Sequence, residues 1–568
     1  MSPESACTFK KTSPAVPSTG NTHLWLVSRN PGRPPFIVED GGKGGGMVEA
    51  GGIRWNEWDP VALARAGAER KLIFLDIGAT WCHWCHVLDR TSLADPRVVR
   101  MLNDDYIAIR VDTDRRPDIN DRYNQGGWPT TAVLLPDGRL LTGATYLPPD
   151  ALAGLLEKCR DFYRQDRERV DAYLRNAGDP AAEGVGERSE APEAPRPEDL
   201  PLVKHAVLAQ YDPDHPGFFR EPKFPVTEIL AFLRDAWIAE GNREAGETLL
   251  TVLRRMAESE LLDRVEGGFF RYATRRDWTV PHYEKMLADN AELLCLYASA
   301  YELTAEESFA AAVRDILRFL LMKLYDPATG AFFGSQDADE TYYPLAEGER
   351  ALRVAPSIDR TIFSEYNAKA VSGLVAAHRA FGAPAAGEGD SLLARAERLG
   401  RFLRERMTSL EAGVARFLAP PGEEGKVPHR WLADHAAMAT SYLDLHDATG
   451  KEEYLRWAEE ILSDATPCLY RPEAAGFIDR LPSVGDFGVL SQPLYPFAPN
   501  AHMASSLLRC ARSTGREDLF AIGARTLCGL SVEFDRRGAF AAPYGSALLV
   551  YTKGNPGTAC LPGDPACG

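Results

Sequence analysis

The sequence predicts a multidomain chain, with a mixed α/β domain over residues 51–176 followed by an all-α toroid over residues 202–555. Three observations lead to this fold class. Strand-like and helix-like patterns alternate in the first region, helical patterns alone fill the second, and a short glycine–phenylalanine turn recurs among those helices. A chain of 568 residues is also too long for one ordinary core, so several domains are expected.

The segments outside these two domains have the composition of flexible chain. Residues 1–50 are rich in Gly, Pro, Ser and Thr, and residues 177–201 are rich in Pro, Glu, Gly and Ala. We expect the first segment to be disordered and the second to be a linker, with residues 556–568 forming a flexible tail.

Composition excludes several classes of partner. A hydrophobic content of 45% supports large cores, but no apolar run is long enough to cross a bilayer. A net charge of −17 repels nucleic acids and anionic membranes, so neither is expected as a partner.

The ten cysteines lack the spacing of a disulfide framework and no export signal is recognisable, which predicts a cytoplasmic protein with reduced thiols. Cys560 and Cys567 are expected to be free, with a terminal disulfide as the alternative.

The most informative stretch is the apolar run 72–77, which ends at Gly78 and is followed by Cys82 and Cys85. The run predicts a buried strand, and the residues after Cys85 begin a helical pattern. The first thiol therefore lies at a strand-to-helix corner, where unpaired backbone N–H groups and the helix dipole favour the thiolate. A thiolate followed by a second cysteine one helical turn later predicts a redox pair.

Other interpretations of these cysteines stay open at this point. The string Cys-x-x-Cys-His is typical of haem c attachment, which takes place outside the cytosol. Cys82, His83, Cys85 and His86 are zinc-ligand types, but four ligands within five residues cannot surround one ion without strain, so a zinc site would need distant residues. Two reduced structural cysteines are a third alternative. No cofactor and no metal ion are expected.

A family resemblance rests on three stretches. Residues 81–85 (WCHWC), 111–119 and 126–138 resemble a thioredoxin-like domain. More narrowly, they resemble the thioredoxin-domain family of spermatogenesis-associated protein 20 and its bacterial relatives, whose signature is a Cys-His-Trp-Cys-His block. Residues 53–58 are similar to the N-terminal segment of that domain.

The resemblance implies roles for three residues. Cys82 would be the attacking thiol, Cys85 the resolving thiol, and Pro129 a cis-proline that faces them. His83 and Trp84 stand where ordinary thioredoxin has Gly-Pro, so neither redox potential nor partner choice carries over. For the second half of the chain the resemblance implies a six-hairpin glycosidase-type barrel.

Helical periodicity locates the elements of the second half. Helices are predicted at residues 229–239, 247–262, 286–303, 308–324, 366–381, 391–407, 434–449, 451–465, 501–513 and 519–530. The glycine–phenylalanine turns lie at residues 217–219, 268–270, 330–333, 413–417, 476–477 and 538–540. Because six turns fit six helical hairpins, we predict a closed (α/α)6 toroid, with an open helical solenoid as the alternative.

The polar stretch 277–290 supplies the first candidates for a second site. Pro281 suits the first position of a helix, which would put His282 and Glu284 in the first turn near the positive dipole end. That position favours an ionised Glu284 and a neutral His282. A helix cap with one buried histidine explains the same residues equally well.

Further candidates lie in segments that a toroid brings to one rim. They match strings of the family and are Asp289, Asp337, Asp339, Asn367 and Asp434. Enzymes that act on sugars use two carboxyl groups brought close together. One donates a proton, while the other activates a water molecule or attacks the sugar itself. The sequence departs from the family pattern nearby, because His435, Ala433 and Glu340 replace the Tyr, Asp and Ser of relatives.

These observations favour a thiol–disulfide oxidoreductase that acts on a protein disulfide or a small thiol and uses the barrel for recognition. The alternative is a carbohydrate-active enzyme, an epimerase or glycoside hydrolase, with a sugar ligand in the barrel and a regulatory redox domain. A scaffold with both sites inactive is the third hypothesis. An exposed Cys82 thiol of depressed pKa favours the first, whereas a deep funnel with carboxylates roughly 5 to 10 Å apart favours the second.

Overall fold

The computed structural model describes residues 52–165, 169–170, 172, 194–382, 391–409, 411–421, 427–483, 486 and 488–553. The predicted segments 1–50 and 556–568, most of the predicted linker 177–201, and Cys7, Cys560 and Cys567 lie outside the described residues. Within the end of that linker, Pro197–Asp199 form a 3-10 turn and a helix begins at Leu200, just before the predicted start of the toroid.

The α/β domain is built on one four-stranded sheet. Its strands are β1 (Leu72–Gly78), β2 (Tyr106–Asp112), β3 (Thr130–Leu134) and β4 (Leu140–Ala144), in the order β2-β1-β3-β4. β1 runs parallel to β2 and antiparallel to β3, and β3 runs antiparallel to β4. β1 is buried on both faces, as its unbroken apolar run predicts.

Helices pack on both faces of this sheet. They are α1 (Pro60–Glu69), α2 (His83–Arg90), α3 (Pro96–Asp105), α4 (Pro117–Tyr123) and α5 (Pro149–Gln165). α3 and α5 share a core with Leu72 and Phe74, whereas α1 shares a core with Ile73 and Leu75 on the opposite face. That second core also contains Met286 and Leu490 of the helical part, so the α/β domain packs directly against the barrel.

The helical part forms the predicted (α/α)6 toroid. In the described chain its outer helices are α6 (Leu200–Leu208), α8 (Arg243–Glu258), α10 (Glu307–Phe319), α12 (Leu392–Arg406), α14 (Glu452–Leu469) and α16 (Glu517–Ser531). Its inner helices are α7 (Thr227–Glu240), α9 (Leu287–Thr304), α11 (Ser364–Phe381), α13 (Leu432–Thr449), α15 (Phe497–Thr514) and α17 (Ala542–Thr552). Each inner helix contacts the next, and α17 contacts α7, so the ring is closed. The fold class predicted from the sequence is confirmed.

Two helices of the ring, α6 and α17, are not among those predicted from the sequence. α17 is apolar almost all round, with Ala547, Leu548 and Leu549 all buried, because it lies inside the ring and has no solvent face. Such a helix lacks the one-sided pattern that periodicity detects. It joins the two ends of the toroid, since Tyr544 Oη donates to Asp199 Oδ2 at 2.8 Å.

Short two-residue strands line the turns between the hairpins. They are Tyr272–Ala273, Pro281–His282, Lys285–Met286, Ser335–Gln336, Ile358–Asp359, Ile362–Phe363, Thr408–Ser409, Gly413–Val414, Phe417–Leu418, Tyr470–Arg471 and Gly476–Phe477. None of the described helices combines the length and the apolarity that a membrane crossing requires.

A buried asparagine near the start of an inner helix recurs and holds a glycine–phenylalanine turn. The amide oxygen of Asn367 accepts the backbone N–H of Phe332 at 2.8 Å, and its amide nitrogen donates to the carbonyls of Phe332 and Phe363, both at 2.9 Å. Asn290 and Asn500 make the same three types of contact with their own turns. This asparagine clamp fixes successive turns at one end of the ring.

The α/β domain is attached to this end of the barrel through Asp114. One carboxylate oxygen of Asp114 accepts the Tyr366 hydroxyl and the other accepts Trp81 Nε1, both at 2.7 Å. Its backbone carbonyl accepts Arg416 Nε at 3.0 Å. Asp114 is buried, so these hydrogen bonds form away from solvent and each polar group depends on its partner.

Two buried ion pairs complete the attachment. Arg122 Nη1 lies 2.7 Å from Asp479 Oδ2, and Arg480 Nε lies 2.9 Å from Asp118 Oδ2. The α/β domain supplies the cation in one pair and the anion in the other. This reciprocal arrangement fixes the orientation of the domain on the barrel.

We expect Asn367→Ala to lower the melting temperature by a few degrees. The change leaves one buried N–H and two carbonyls without their partner, a loss of about 2–4 kcal/mol for buried polar groups. Thermal unfolding followed by circular dichroism measures it. Ser372→Ala on the same helix serves as the matched control and should change the melting temperature little. Equal melting temperatures for wild type and Asn367→Ala would contradict the clamp.

Candidate functional site

The two cysteines lie where the sequence predicts them, at the corner between β1 and α2. Cys82 is the N-cap of α2 and is disulfide-bonded to Cys85, with their Cα atoms 5.2 Å apart. The backbone N–H of Cys85 points at Cys82 Sγ from 3.2 Å. At Gly78 an added Cβ would lie only 3.3 Å from Cys85 Sγ, so the glycine that ends β1 makes room for the second sulfur.

Two tryptophans flank the disulfide. Trp81 and Trp128 meet edge to face with ring centres 5.6 Å apart. Trp81 is held by Asp114, and Trp128 Nε1 donates to Asn120 Oδ1 at 3.0 Å. The Trp128–Pro129 peptide bond is cis, as the resemblance implies.

The barrel covers this site. The guanidinium of Arg271 lies 4.2 Å from the ring centre of Trp81 and 4.9 Å from that of Trp128. Cys82 is only 3% exposed, whereas Cys85 is half-buried. The exposed Cys82 thiol that would favour the redox hypothesis is therefore not found in this arrangement. Sequence reasoning missed the cover because Arg271 is far from the cysteines along the chain.

The structure corrects the predicted helix at Pro281. Trp278 and Val280 have positive φ angles of 68° and 56°, and the chain turns there into a short antiparallel pairing of Pro281–His282 with Tyr272–Ala273. The helix α9 begins only at Leu287. In extended chain, side chains two residues apart point to the same side, which is why His282 and Glu284 meet.

His282, Glu284 and Arg271 form a buried group at the rim. His282 Nδ1 lies 3.1 Å from Glu284 Oε1, and Arg271 Nη1 lies 3.3 Å from Glu284 Oε2. Burial by itself would raise the pKa of Glu284, but His282 and Arg271 outweigh it and hold that pKa below its usual range. The expected ionised Glu284 thus follows from two partners and not from a helix dipole. The rings of His282 and His83 meet edge to face, with their centres 6.4 Å apart.

The two histidines that flank Trp84 and Cys85 have separate partners on the barrel. His86 Nε2 lies 3.1 Å from Asp337 Oδ2, and His83 Nε2 lies 3.5 Å from Glu340 Oε1. The histidines therefore point to different carboxylates and do not converge on a common centre. In the described parts of the chain, no group of three or more His, Cys, Asp and Glu side chains could hold a metal ion.

The other predicted residues of the second site have different partners. Asp337 belongs to the interface through His86, while Asp339 accepts N–H and O–H donors of Thr341 and caps a turn. Asn367 is the buried clamp of the Phe332 turn. It therefore stabilises the fold and is not placed in a second site as predicted. Asp434 is fully buried beside Arg416, and Asp289 lies on the inner helix α9, where burial raises its pKa to about 6.

A chain of charged residues lies inside the barrel, and of its members the sequence analysis identified only Asp434. Lys369 Nζ lies 2.8 Å from Glu292 Oε1 and 3.0 Å from Glu365 Oε1. Arg416 Nη1 in turn contacts Glu365 Oε2 at 3.0 Å and Asp434 Oδ1 at 3.1 Å. The sequence does contain a pattern that indicates this group, because charged residues interrupt the first two turns of inner helices that are otherwise apolar.

Burial and charge set these carboxylates apart in acidity. Burial would raise the pKa of Glu365, but Lys369 and Arg416 lower it to about 2. Burial and the neighbouring Glu292 raise the pKa of Glu228, on α7, to about 7. Burial also raises the pKa of Asp434 to about 7. Of these three carboxyl groups, Glu365 is thus firmly ionised, whereas Glu228 and Asp434 bind protons near neutrality.

This fold and site define a thioredoxin-like domain with a Cys-x-x-Cys pair, joined to an (α/α)6 barrel that covers the pair. Residues 48–179 match the family model Thioredox_DsbH, described as "Protein of unknown function, DUF255". This match confirms the thioredoxin-like domain that the resemblance implies.

The resemblance to known proteins extends beyond this domain. Human spermatogenesis-associated protein 20 is 32% identical over 328 residues, which cover 52% of this chain and 40% of that protein. The mouse protein of the same name is 25% identical over 593 residues, covering 82% of this chain and 74% of its own length. The chain thus spans less than half of the human relative that it matches, and the resemblance to these proteins is confirmed.

Solved structures match the barrel region. A sugar epimerase from a ruminal bacterium has a TM-score of 0.49 and 12% identity, covering 62% of this chain and 99% of that chain. A cellobiose 2-epimerase from Bacillus thermoamylovorans has a TM-score of 0.49 and 9% identity, covering 63% of this chain and 98% of that chain.

We expect the stability of the His86–Asp337 contact to depend on pH. The hydrogen bond to Asp337 raises the pKa of His86 above 6.5, its ordinary value. A raised pKa in the folded state means that the contact stabilises the protein fully below pH about 6.5 and is lost as pH rises through the folded pKa of His86. Melting temperatures of wild type and His86→Gln should therefore differ at low pH and converge at high pH.

The exposed His205 on α6 provides the control for this measurement. His205→Gln should leave the pH dependence of the melting temperature as in wild type. A difference between wild type and His86→Gln that stays constant across the pH range would show that the charge of His86 does not stabilise the interface.

Proposed function

We propose that this protein carries out thiol–disulfide exchange through Cys82 and Cys85. The observation that supports the proposal is the paired position of the two sulfurs, with Cys82 as the N-cap of α2 and the N–H of Cys85 directed at its sulfur. A sulfur in this position gains from the helix dipole and from a backbone donor, both of which favour a thiolate. The half-buried Cys85 lies one helical turn away, within reach for resolution.

The proposed reaction uses the two sulfurs in sequence. In the reduced protein the Cys82 thiolate attacks a substrate disulfide, forms a mixed disulfide and releases one substrate thiolate. Cys85 then loses its proton to solvent, attacks Cys82 Sγ and releases the second substrate thiolate. The protein dithiol is oxidised to the Cys82–Cys85 disulfide, and the substrate disulfide is reduced to two thiols.

In this proposal the barrel controls access to the attacking sulfur. Arg271, over Trp81 and Trp128, forms part of the cover under which Cys82 is nearly inaccessible. A bulky protein substrate requires the two domains to move apart, whereas a small substrate needs only an opening beside Trp81. The rate with a protein disulfide is therefore expected to be lower than the rate with a small disulfide.

Cysteine variants test the proposal in a disulfide-reduction assay with dithiothreitol as reductant and insulin or a small disulfide as substrate. Cys82→Ser should abolish turnover, because the attacking sulfur is gone. Cys85→Ser should still form the mixed disulfide, which mass spectrometry detects, but should not resolve it. Cys468→Ser, which removes a half-buried free thiol on α14, should keep wild-type turnover. Wild-type activity in Cys82→Ser would refute the proposal.

A second candidate function is carbohydrate chemistry inside the barrel, which the difference in acidity between Glu228 and Glu365 favours. At neutral pH a carboxyl with pKa about 7 keeps a share of its proton, and one with pKa about 2 is fully ionised. Glu228 and Glu365 occupy the second helical position of α7 and α11, respectively, and neither side chain is fully buried. Carboxyl groups in these two protonation states are what a proton donor and a base for a sugar substrate require.

We expect Glu228→Gln to reduce turnover on any sugar substrate by about 100-fold or more, because the proton donor is lost. The wild-type activity should be present below pH about 7 and fall above it, as Glu228 loses its proton. A panel of free and disaccharide sugars followed by chromatography measures turnover. Glu405→Gln, an exposed position on α12, is the control. Absence of turnover on the whole panel would remove this candidate.

A further inference from the structure

A cavity of about 330 Å³ lies between the two domains beside the cysteine pair. The α/β domain contributes Trp81 and Arg115 to its wall, and the barrel contributes Asp337, Asp359 and Arg360. The volume is at the lower end of the range for small-molecule sites, which suits an amino acid or a short peptide.

The cavity adjoins the redox site through Thr80 and Trp81, which precede Cys82 and line its wall. Trp81 directly precedes Cys82 in the chain. His86, on the first turns of the helix that Cys82 caps, contacts both the carbonyl of Thr80 and a carboxylate oxygen of Asp337 at 3.1 Å. Both Thr80 and Asp337 line the cavity, so a molecule bound there lies against the segment that leads into the disulfide.

The cavity presents charges of both signs at positions fixed by the protein. Arg115 is held by a hydrogen bond to Thr361 Oγ1 at 3.0 Å and lies over the ring of Phe417. Arg360 lies over the ring of Phe333, 5.3 Å from its centre. The negative charges belong to Asp337, which accepts a hydrogen bond from His86, and to Asp359, which accepts the backbone N–H of Thr361.

Each kind of charged group in the wall recognises a complementary group on a ligand. Guanidinium groups bind a carboxylate through several parallel donors, and carboxylates with remaining lone pairs accept from an ammonium group. Burial raises the pKa of Asp359, and an ammonium group arriving beside it would counter that effect. A ligand with both a carboxylate and an ammonium group therefore fits the wall better than one with a single charge.

We propose that the cavity binds a small amino-acid disulfide, a molecule of the cystine type, as the substrate of Cys82 and Cys85. This inference rests on the proposed thiol–disulfide exchange and names the class of its substrate. Arg360 and Arg115 hold the carboxylate, Asp359 and Asp337 hold the ammonium group, and the disulfide bond extends past Trp81 toward Cys82.

The low exposure of Cys82 supports a small substrate over a folded protein. With 3% of its surface accessible, Cys82 is out of reach of a disulfide carried on a protein surface while the domains stay attached. A molecule inside the cavity lies against Trp81, the residue before Cys82, so it needs only an opening beside Trp81 and not the separation of the domains.

The reaction balances without a further reagent in a single turnover. One small disulfide, RSSR, takes two electrons from the two protein thiols and becomes two RSH molecules. The two protons released by Cys82 and Cys85 pass through solvent to the departing thiolates. Cys82 and Cys85 end as the disulfide, and a dithiol reductant is needed only for repeated turnover.

Four small disulfides separate the contributions of the charges. Cystine carries both charges, dithiodipropionate carries only carboxylates, cystamine carries only ammonium groups, and bis(2-hydroxyethyl) disulfide carries none. The reduced full-length protein, freed of reductant, is mixed with each, and oxidation is followed by tryptophan fluorescence and by release of thiol. Wild type should react fastest with cystine.

Two charge-removing variants test the two halves of the wall. Arg360→Gln should lower the preference for dithiodipropionate over the uncharged disulfide about tenfold, the usual effect of losing a hydrogen bond to a charged group. Asp359→Asn keeps an acceptor for Thr361 and should lower the preference for cystamine by a similar factor. Arg353→Gln, an exposed arginine outside the cavity wall, should leave all rates as in wild type.

The outcomes separate failure of this inference from failure of the proposed function. Unchanged preferences in both variants, or equal losses with charged and uncharged disulfides, would overturn the assignment of the cavity. Wild-type protein that reduces insulin but none of the small disulfides would overturn it as well while the exchange function stands. Wild-type protein that reacts with no disulfide at all would overturn both.

Discussion

The structure depends on the buried attachment of the α/β domain to the barrel through Asp114. This one residue accepts hydrogen bonds from Trp81 beside the cysteine pair, from Tyr366 on an inner helix, and from Arg416. Arg416 continues to Glu365 in the barrel interior. Because a buried carboxylate or carbonyl is costly when it loses a hydrogen-bond donor, the contacts of Asp114 with Tyr366 and Arg416 favour the attached arrangement of the two domains.

This attachment brings the redox pair and the barrel rim into a single site. Arg271 contacts the two tryptophans on one side and Glu284 on the other, so the cover of the disulfide is itself part of the buried group at the rim. Neither domain alone has the cavity beside Trp81, since its wall is drawn from both. A molecule that reaches Cys82 therefore meets the chemistry of the barrel as well as that of the thioredoxin-like domain.

Four of the six inner helices of the described ring hold the rim by the same local hydrogen bond. An asparagine four positions after the N-cap bonds to the cap carbonyl in α9, α11 and α15, and His435 occupies the equivalent position in α13. His435 keeps the same bond through Nδ1, which lies 2.8 Å from the carbonyl of Trp431, and its Nε2 reaches Asp464. The departure at His435 thus preserves the bond to the helix start and adds a new partner.

The sequence by itself determined the α/β domain, the position of the cysteines at the end of β1, and the ring of helical hairpins, because each depends on local periodicity, caps and turns. It did not determine that Cys82 is covered, that His282 and Glu284 meet in extended chain, or that Asn367 is a clamp. It also missed α17, whose uniform apolar surface is meaningful only inside a closed ring. The cover of Cys82 and the position of α17 depend on residues far apart in the chain, as in the contacts of Arg271 with Trp81 and of Tyr544 with Asp199. The meeting of His282 and Glu284 and the clamp of Asn367 depend on how one turn pairs with another, and only the tertiary structure decides that pairing.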